Sequence, residues 1–177
     1  KVPFVKQLTN QLMSAAQDQG RIKTILNRKC RFPKYEPILK GSDWGRFVPA
    51  QDHERMLELQ AMGEFIKDEE GEFIKDKDGN KQKNYWHENG HRRAFTYKAL
   101  NKLIQGSAAD MTKKAMLELH KRGITPHIQI HDELDISIPL GEGDNSKDII
   151  KIMEKAVTLQ IPNKVDYESG PNWGTIK

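Results

Sequence analysis

The sequence has very little cysteine and no long apolar run, and both absences exclude whole classes of protein. Cys30 is the single cysteine in 177 residues, so a disulfide-stapled secreted scaffold is excluded and a reducing compartment is favoured. No apolar stretch approaches the ~18 residues of a membrane span, and the mean hydropathy is −0.77. Cysteine and histidine nowhere show the spacing of a zinc site. We therefore expect a chain without a membrane partner.

The beginning of the chain, Lys-Val-Pro-Phe, has neither an initiator methionine nor the apolar core of a signal peptide. We interpret it as an internal cut through a longer protein.

Positive charge is concentrated near the start of the sequence. The net charge is only +4, yet nine basic residues between positions 1 and 40 face only Asp18 and Glu36 as acidic residues. Such clustering is typical of a surface that lies against a phosphate backbone. A solvated basic face is the alternative that composition alone leaves open.

Hydrophobic spacing predicts a mixture of helices and short strands. The first third should contain a helix over Phe4–Gln19 that stops at Gly20, then two short strands around a tight turn at Asn27-Arg28. The last third should contain strands on either side of His131 and a turn at residues 141–146. The predicted strands besides those around His131 are Arg21–Leu26, Lys29–Phe32 and Lys164–Glu168. The further predicted helices are Gln51–Met62, most of His91–Lys121 and Ser146–Leu159.

The middle third contains a near repeat. The sequence Gly-Glu-Phe-Ile-Lys-Asp occurs at residues 63–68 and again at 71–76, which predicts a hairpin or a small ribbon. The run Asp76-Lys-Asp-Gly-Asn80 is similar to the start of a calcium-binding loop. A histidine, His87, stands where such a loop needs an acidic residue, so we expect no calcium site.

The run from Ile128 to Ile138 is the most informative stretch. Apolar residues alternate with polar ones on both sides of His131-Asp132-Glu133, as in a half-buried pair of strands. Two carboxylates at the connection would suit a divalent cation that prefers oxygen ligands. A plain polar turn is the simpler alternative, because Asp is a common turn residue.

Two motifs in this order resemble family A DNA polymerases, the bacterial DNA polymerase I group and its phage relatives, and the long segment at residues 34–90 is similar to what phage members tend to show. The first is Asn101-Lys-Leu-Ile-Gln-Gly-Ser-Ala-Ala-Asp110, and the second is the His-Asp-Glu turn. The run from Gln19-Gly20 to Arg28-Lys29 and Pro33 is also similar to a family segment, with Asn27 where glycine is usual. Asn is the best substitute at a positive φ angle, so the turn should survive. Gly170-Pro-Asn-Trp173 resembles the family's closing motif.

The resemblance implies an α+β fold, with an antiparallel palm sheet and packed helices, as the C-terminal part of a right-hand polymerase. It covers residues 1–33, which would end the fingers and return to the palm, and about 91–177, which would form the palm. Residues 34–90 have no counterpart in the motifs and are expected to be a peripheral insertion.

The resemblance also implies residue roles in nucleotidyl transfer with two Mg²⁺ ions. Asp132 matches the second metal-binding aspartate, Glu133 the carboxylate beside it, and His131 the residue against the primer terminus. On the preceding helix, Asn101 and Gln105 match residues that contact DNA near the primer end. The cations expected to hold phosphates are Arg28, Lys29 and Arg31.

The first catalytic aspartate and the nucleotide-binding residues of the family find no match in this sequence. We expect them in an N-terminal portion that is supplied in cis or in trans, with primer-template DNA and dNTP as the other partners. The expected location is the cytoplasm of a bacterium or of a phage-infected host.

Three other functions compete with a DNA polymerase. A single-subunit RNA polymerase would share the palm and a His-Asp turn, although Glu133 and the Gln-Gly-Ser-Ala-Ala helix match the DNA enzymes better. A His-Asp phosphohydrolase would need further histidines on helices, whereas His131 lies in a β pattern. A non-catalytic DNA-binding module is the third alternative.

Overall fold

The computed structural model describes residues 3–139 and 145–175. The fold combines α-helices with short antiparallel strand pairs, as the sequence predicts. The chain divides into two compact units, one formed by Lys1–Lys23 and Asn27–Leu103 and the other by Thr24–Leu26 and Ile104–Lys177. Within the described ranges, no helix is long and apolar enough to cross a membrane.

The first unit begins with a helix that packs on a hairpin. Helix α1 spans Pro3–Gln19, and strands β1 (Arg21–Lys23) and β2 (Lys29–Arg31) pair antiparallel. Asn27 in the turn between them has φ 63°, which confirms that it takes the left-handed conformation. The small core under this hairpin consists of Ala16, Ile22, Phe32 and Ala99, with Leu12, Cys30 and Leu103 packed around it.

Gly20 ends helix α1 for a steric reason. Its φ is +66°, and its amide donates to the carbonyl oxygen of Ala16 at 3.1 Å, as expected of a glycine after a helix C-terminus. A Cβ at this position would lie 2.6 Å from Cζ of Arg93. The Arg93 guanidinium occupies that space because it donates to the carbonyl oxygens of Gln17 and Phe32.

Within the first unit, the segment of residues 38–90 begins and ends at adjacent points. Strand β3 (Tyr35–Pro37) pairs antiparallel with β4 (His91–Arg93), and the Ile38 amide donates to the carbonyl oxygen of Gly90 at 2.7 Å. Between these strands lie helix α2 (His53–Ala61) and a second core. The residues of that core are Met56, Leu59 and Trp86, with Tyr35, Val48, Met62 and Ile66 around them.

The near repeat forms a closed ribbon of three short extended segments, residues 65–67, 73–75 and 81–83. Each segment bridges both of the others, and the amides and carbonyls of Ile66, Ile74 and Gln82 are bonded in a ring at 2.8 to 3.0 Å. The sequence predicts a hairpin or a small ribbon from two copies. The third copy is not recognisable from the apolar pattern, because Lys81-Gln82 stands where the other two copies have Phe-Ile. The eight-residue spacing of Asp68, Asp76 and Asn84 is the remaining sign of it.

The second unit places a hairpin over a helix pair. Helix α3 spans Ala99–His120 and enters this unit at Ile104; strands β5 (Ile128–Ile130) and β6 (Glu133–Asp135) follow, then helix α4 (Ser146–Lys155). Its core consists of Leu119, Ile149 and Ile152, with Ile124, Leu134, Ile136, Ile138 and Met153 packed against it.

Three sequence predictions need correction. The stretch before α3 is not helical from His91, because His91–Arg93 pairs with β3 and Phe95, at φ 63°, precedes a 3-10 turn. No strand forms at residues 164–168, where the Val165 amide donates to the Glu154 carboxylate instead of to a neighbouring strand. Helix α4 ends at Lys155 rather than at Leu159. The turn predicted at residues 141–146 lies mostly outside the described residues.

Candidate active site and nucleic-acid interface

His131 and Asp132 form the two-residue connection of the β5–β6 hairpin, and Glu133 begins β6. Ile130 pairs with Glu133 across the turn. His131 has φ 52°, and its carbonyl oxygen accepts a hydrogen bond from Nε2 of Gln129 at 3.0 Å. A positive φ at the first loop residue is a feature of the primed turns that fit twisted hairpins. The structure thus brings the three predicted catalytic residues together at one exposed turn.

The apolar residues of β5, Ile128 and Ile130, lie on the opposite face of the hairpin from Leu134 of β6. The register pairs Ile128 with Asp135 and Gln129 with Leu134, and residues directly opposite each other share a face. Leu134 therefore faces the core, whereas Ile128 is 42% exposed and Ile130 is 36% exposed. The sequence pattern suggests burial for both sets, but the register is set by the turn and cannot be read from period-2 alternation alone.

Asp135 lies on the same face of the hairpin as Glu133 and Ile128, and its side chain is unusual because part of it is buried without a described hydrogen-bond partner. Its Oδ2 atom is buried and has no hydrogen-bond partner among the described residues. An unpaired buried carboxylate oxygen is costly because it loses its hydration without compensation. The sequence alone does not reveal that Asp135 lies opposite Ile128, because this depends on the register of the hairpin.

The packing beneath β6 holds the turn in place. Leu134, Ile136 and Ile138 pack against Leu119 of α3 and against two isoleucines of α4. The amide of His127 donates to the carbonyl oxygen of Asp135 at 2.8 Å and extends the ladder by one pair. The carboxylates of Asp132 and Glu133 thus stand on a short hairpin whose other end is anchored in a core.

The donor set at the turn suits a hard cation in part. Asp132 and Glu133 are exposed carboxylates, and Mg²⁺ is held by one or two carboxylates while it keeps several waters. Across residues 3–139 and 145–175, no group of three or more His, Cys, Asp or Glu side chains converges as a metal site. The described residues therefore supply only part of a donor set for one or more ions.

Helix α3 presents Asn101 and Gln105 to solvent, four residues apart on one side of the helix. Among the described residues, no hydrogen bond or ion pair joins Gln105 to the turn at Asp132. The other motif residues of this helix have a structural role. Ser107 accepts from the amide of Ile25 at 3.1 Å, and the buried Asp110 accepts from the hydroxyl of Thr24.

The β1–β2 hairpin presents cations in opposed pairs. Arg21 lies directly opposite Arg31, and Lys23 directly opposite Lys29, while Ile22 and Cys30 point to the core. Like charges directly opposite each other destabilise a strand pair, so an anionic partner would relieve the repulsion. The sequence points to Lys29 and Arg31 together with Arg28 in the turn, and the register adds Arg21 and Lys23 as opposed partners, because register is not visible in sequence.

The chain is similar to DNA polymerases of phages and bacteria. It is 31% identical over 174 residues to a "DNA-directed DNA polymerase" of Pseudomonas phage M6, a match that covers 98% of this chain and 18% of the relative. It is 43% identical over 86 residues to "DNA polymerase I" of Geobacillus stearothermophilus, which covers 45% of this chain and 10% of that protein. The phage match therefore extends through residues 34–90, whereas the bacterial match involves less than half of the chain.

The fold is similar to that of the polymerase domain of Pol1 from M. smegmatis, which was solved in complex with DNA primer-template and dNTP. The TM-score is 0.50 at 22% identity, and the match covers 89% of this chain and 20% of that one. The family model for DNA polymerase family A matches residues 1–175. This chain therefore belongs to DNA polymerase family A.

Proposed function

We propose that this chain is the palm portion of an enzyme that performs template-directed DNA synthesis, transferring a nucleotide from dNTP to the primer 3′-hydroxyl. The observation that carries the proposal is the exposed pair of carboxylates, Asp132 and Glu133, at the turn of a hairpin anchored in a core. The chain spans less than a fifth of the phage relative, so the complete activity belongs to the larger protein. Residues 1–33 would lead from fingers to palm, and residues 34–90 would be peripheral.

Asp132 is the proposed metal ligand, and Glu133 is the proposed neighbour that binds the ion or its waters. When bound, two Mg²⁺ ions would stabilise negative charge that develops at the attacking and leaving oxygens. Exposure of both carboxylates supports this role, because each keeps its oxygens accessible to a hydrated ion. A second aspartate from the rest of the protein would complete the site.

His131, Asn101 and Gln105 are proposed to contact DNA at the primer end. His131 is exposed at the turn, and both amide side chains on α3 are exposed. Minor-groove acceptors are present in every correct base pair, so an amide such as that of Gln105 can sense pairing geometry without reading sequence.

The cationic hairpin is proposed to hold the DNA backbone. Arg21, Lys23, Lys29 and Arg31 are exposed in opposed pairs, and Arg28 lies in the turn that joins their strands. Contacts of this kind position a duplex but carry no sequence information, and they weaken as salt rises.

A primer-extension assay on the full-length protein tests the proposal. We expect incorporation of deoxyribonucleotides on a primed template in the presence of Mg²⁺, with ribonucleotides strongly disfavoured. Preferred incorporation of ribonucleotides would support an RNA polymerase instead. Salt-sensitive DNA binding without incorporation of either would support a non-catalytic DNA-binding module, which the cationic hairpin also fits.

A further inference from the structure

A groove of about 500 Å³ lies between helices α3 and α4 of the second unit. Six of the eight residues that line it are charged, and the other two are Ile152 and Ala156. Sites for apolar ligands are lined mostly by hydrophobic side chains, and Ile152 is already buried in the core of this unit. A ligand of this groove must therefore be recognised by its charge.

Both helices present cations to the groove. Lys114 lies on α3, and Arg122 lies two residues beyond the end of that helix. On α4, Lys151 and Lys155 are four positions apart and are therefore neighbours on one side of the helix. Positive charge thus lines the groove on two sides.

The acidic residue of the α3 wall, Glu118, is already neutralised by two lysines. Its carboxylate accepts from Nζ of Lys114 at 2.5 Å and from Nζ of Lys121 at 3.1 Å. These hydrogen bonds lower the pKa of the Glu118 carboxyl, so it stays ionised at neutral pH. One carboxylate shares two ammonium groups, which leaves one positive charge uncompensated at this wall.

The other three cations of the groove have no acidic partner. Within the described ranges, Arg122, Lys151 and Lys155 are exposed and form no ion pair. Asp148 is the one lining acid besides Glu118, and it too forms no ion pair with a described residue. With the two lysines on Glu118, five positive charges stand against two negative ones, a net charge of +3. Like charges gathered at one groove repel one another, and a multivalent anion removes that repulsion.

Phosphate groups fit this groove better than an acidic protein segment does. The centre of a protein interface is depleted of charged residues, lysine among them, and its binding energy comes from buried anchors, aromatic ones above all, that this groove lacks. Phosphate needs no such anchor. The planar fork of an arginine such as Arg122 binds phosphate oxygens in pairs, and lysines act on them as point charges.

We propose that the groove between α3 and α4 binds a chain of phosphate groups through Arg122, Lys151 and Lys155. These residues are not among those proposed for catalysis, so the groove is a further binding site. The backbone of DNA and the polyphosphate of a free nucleotide both supply such a chain. The charge argument is independent of the proposed function, which enters only as the reason why these two sources are considered.

Lysine acetylation of the full-length protein tests the contact. The protein is acetylated in EDTA alone, with inorganic tripolyphosphate, or with a primer-template duplex, and is then digested at glutamates and mapped by mass spectrometry. We expect tripolyphosphate to slow the acetylation of Lys151 and Lys155. Lys147, exposed on the same helix but outside the groove lining, should react at an unchanged rate. EDTA removes metal ions, so that a metal-dependent nucleotide site contributes nothing.

The primer-template arm identifies the source of the phosphates. Protection of Lys151 and Lys155 by both ligands assigns the groove to the DNA backbone, and protection by tripolyphosphate alone assigns it to a free polyphosphate. If tripolyphosphate protects neither lysine, the proposal is overturned.

Charge-matched variants separate this groove from general attraction. The groove variant replaces its three unpaired cations, in Arg122→Gln/Lys151→Gln/Lys155→Gln. The control variant replaces three exposed cations of the same unit outside the groove, in Lys113→Gln/Lys147→Gln/Lys164→Gln. By calorimetry in EDTA, the groove variant should bind tripolyphosphate about tenfold or more weakly, and the control within about twofold of the parent. Equal losses in the two variants would show that only net charge matters, which overturns the proposal.

A substitution of opposite sign is available in the same groove. Asp148→Asn removes the lining acid that has no described ion pair, and should strengthen tripolyphosphate binding by about two- to fivefold. Unchanged or weaker binding by this variant contradicts the charge account.

The remaining outcomes separate the alternatives. Protection of Lys151 and Lys155 by polyglutamate but not by tripolyphosphate would identify an acidic protein as the partner and overturns the proposal. Acetylation needs no catalysis, so the groove and the proposed function are tested independently. A protein that is protected at the groove but never extends a primer contradicts only the proposed function, and one that extends a primer without protection contradicts only the groove.

Discussion

The hydroxyl of Thr24 donates a hydrogen bond to the carboxylate of Asp110, although the two residues lie 86 positions apart in the chain. Both residues belong to sequence motifs that resemble family A polymerases, and both are buried. Beside this bond, the amide of Ile25 donates to Ser107. The two motifs are therefore joined by two hydrogen bonds, one from Thr24 to Asp110 and one from Ile25 to Ser107.

Thr24→Val should destabilise the protein by about 1–3 kcal/mol, because it removes a donor from a carboxylate that stays buried. Thr24→Ser keeps the hydroxyl and should be much closer to the parent. Urea denaturation of both variants measures the difference. Equal stability of the valine variant and the parent would show that other partners of Asp110 are sufficient.

Gln105→Ala should lower the efficiency of extension and lower discrimination against mismatched primer ends. The side chain is exposed on α3 and is proposed to sense the minor groove, where its amide would be lost. Single-turnover extension from matched and mismatched primers measures the effect. Lys113→Ala, an exposed change on the same helix, is the control. If Gln105→Ala extends both primers as the parent does, the DNA contact is wrong.

Asp135→Val should stabilise the second unit by about 1–2 kcal/mol, because it removes a buried oxygen without a described partner and places an apolar side chain opposite Ile128. Thermal or urea denaturation of the full-length protein measures it. Asp166→Val, at an exposed position, should change stability by less than about 0.5 kcal/mol. A loss of stability in Asp135→Val would contradict this account and show that the carboxylate of Asp135 stabilises the protein.

Local rules predicted some features well. The positive φ of Asn27 and the termination of α1 at Gly20 follow from the intrinsic preferences of asparagine and glycine, and the structure confirms both. The turn at His131-Asp132 follows from a different rule, because apolar alternation on both sides leaves the polar residues at the connection of two strands.

Features that depend on distant partners were not predictable from the sequence. The opposed faces of Ile128 and Leu134 depend on register, and the predicted strand at residues 164–168 has no neighbouring strand among the described residues to pair with. The third segment of the closed ribbon was missed because its role depends on ring closure with two other segments rather than on its own apolar pattern.

Excision of residues 39–89 should leave the remaining fold intact. β3 and β4 pair where the insertion begins and ends, and the amide of Ile38 already bonds to Gly90, so a linker of a few glycine and serine residues spans the gap. We expect cooperative unfolding near the parent midpoint. Wholesale unfolding would show that the insertion is part of the core.

The central claim is that Asp132 binds catalytic metal, and Asp132→Asn in the full-length protein tests it most directly. The change removes a charge and barely alters volume, so primer extension in Mg²⁺ should be abolished while DNA affinity stays within a few-fold of the parent. Glu133→Gln should reduce extension less. Extension by Asp132→Asn at more than about a tenth of the parent rate would contradict the assignment.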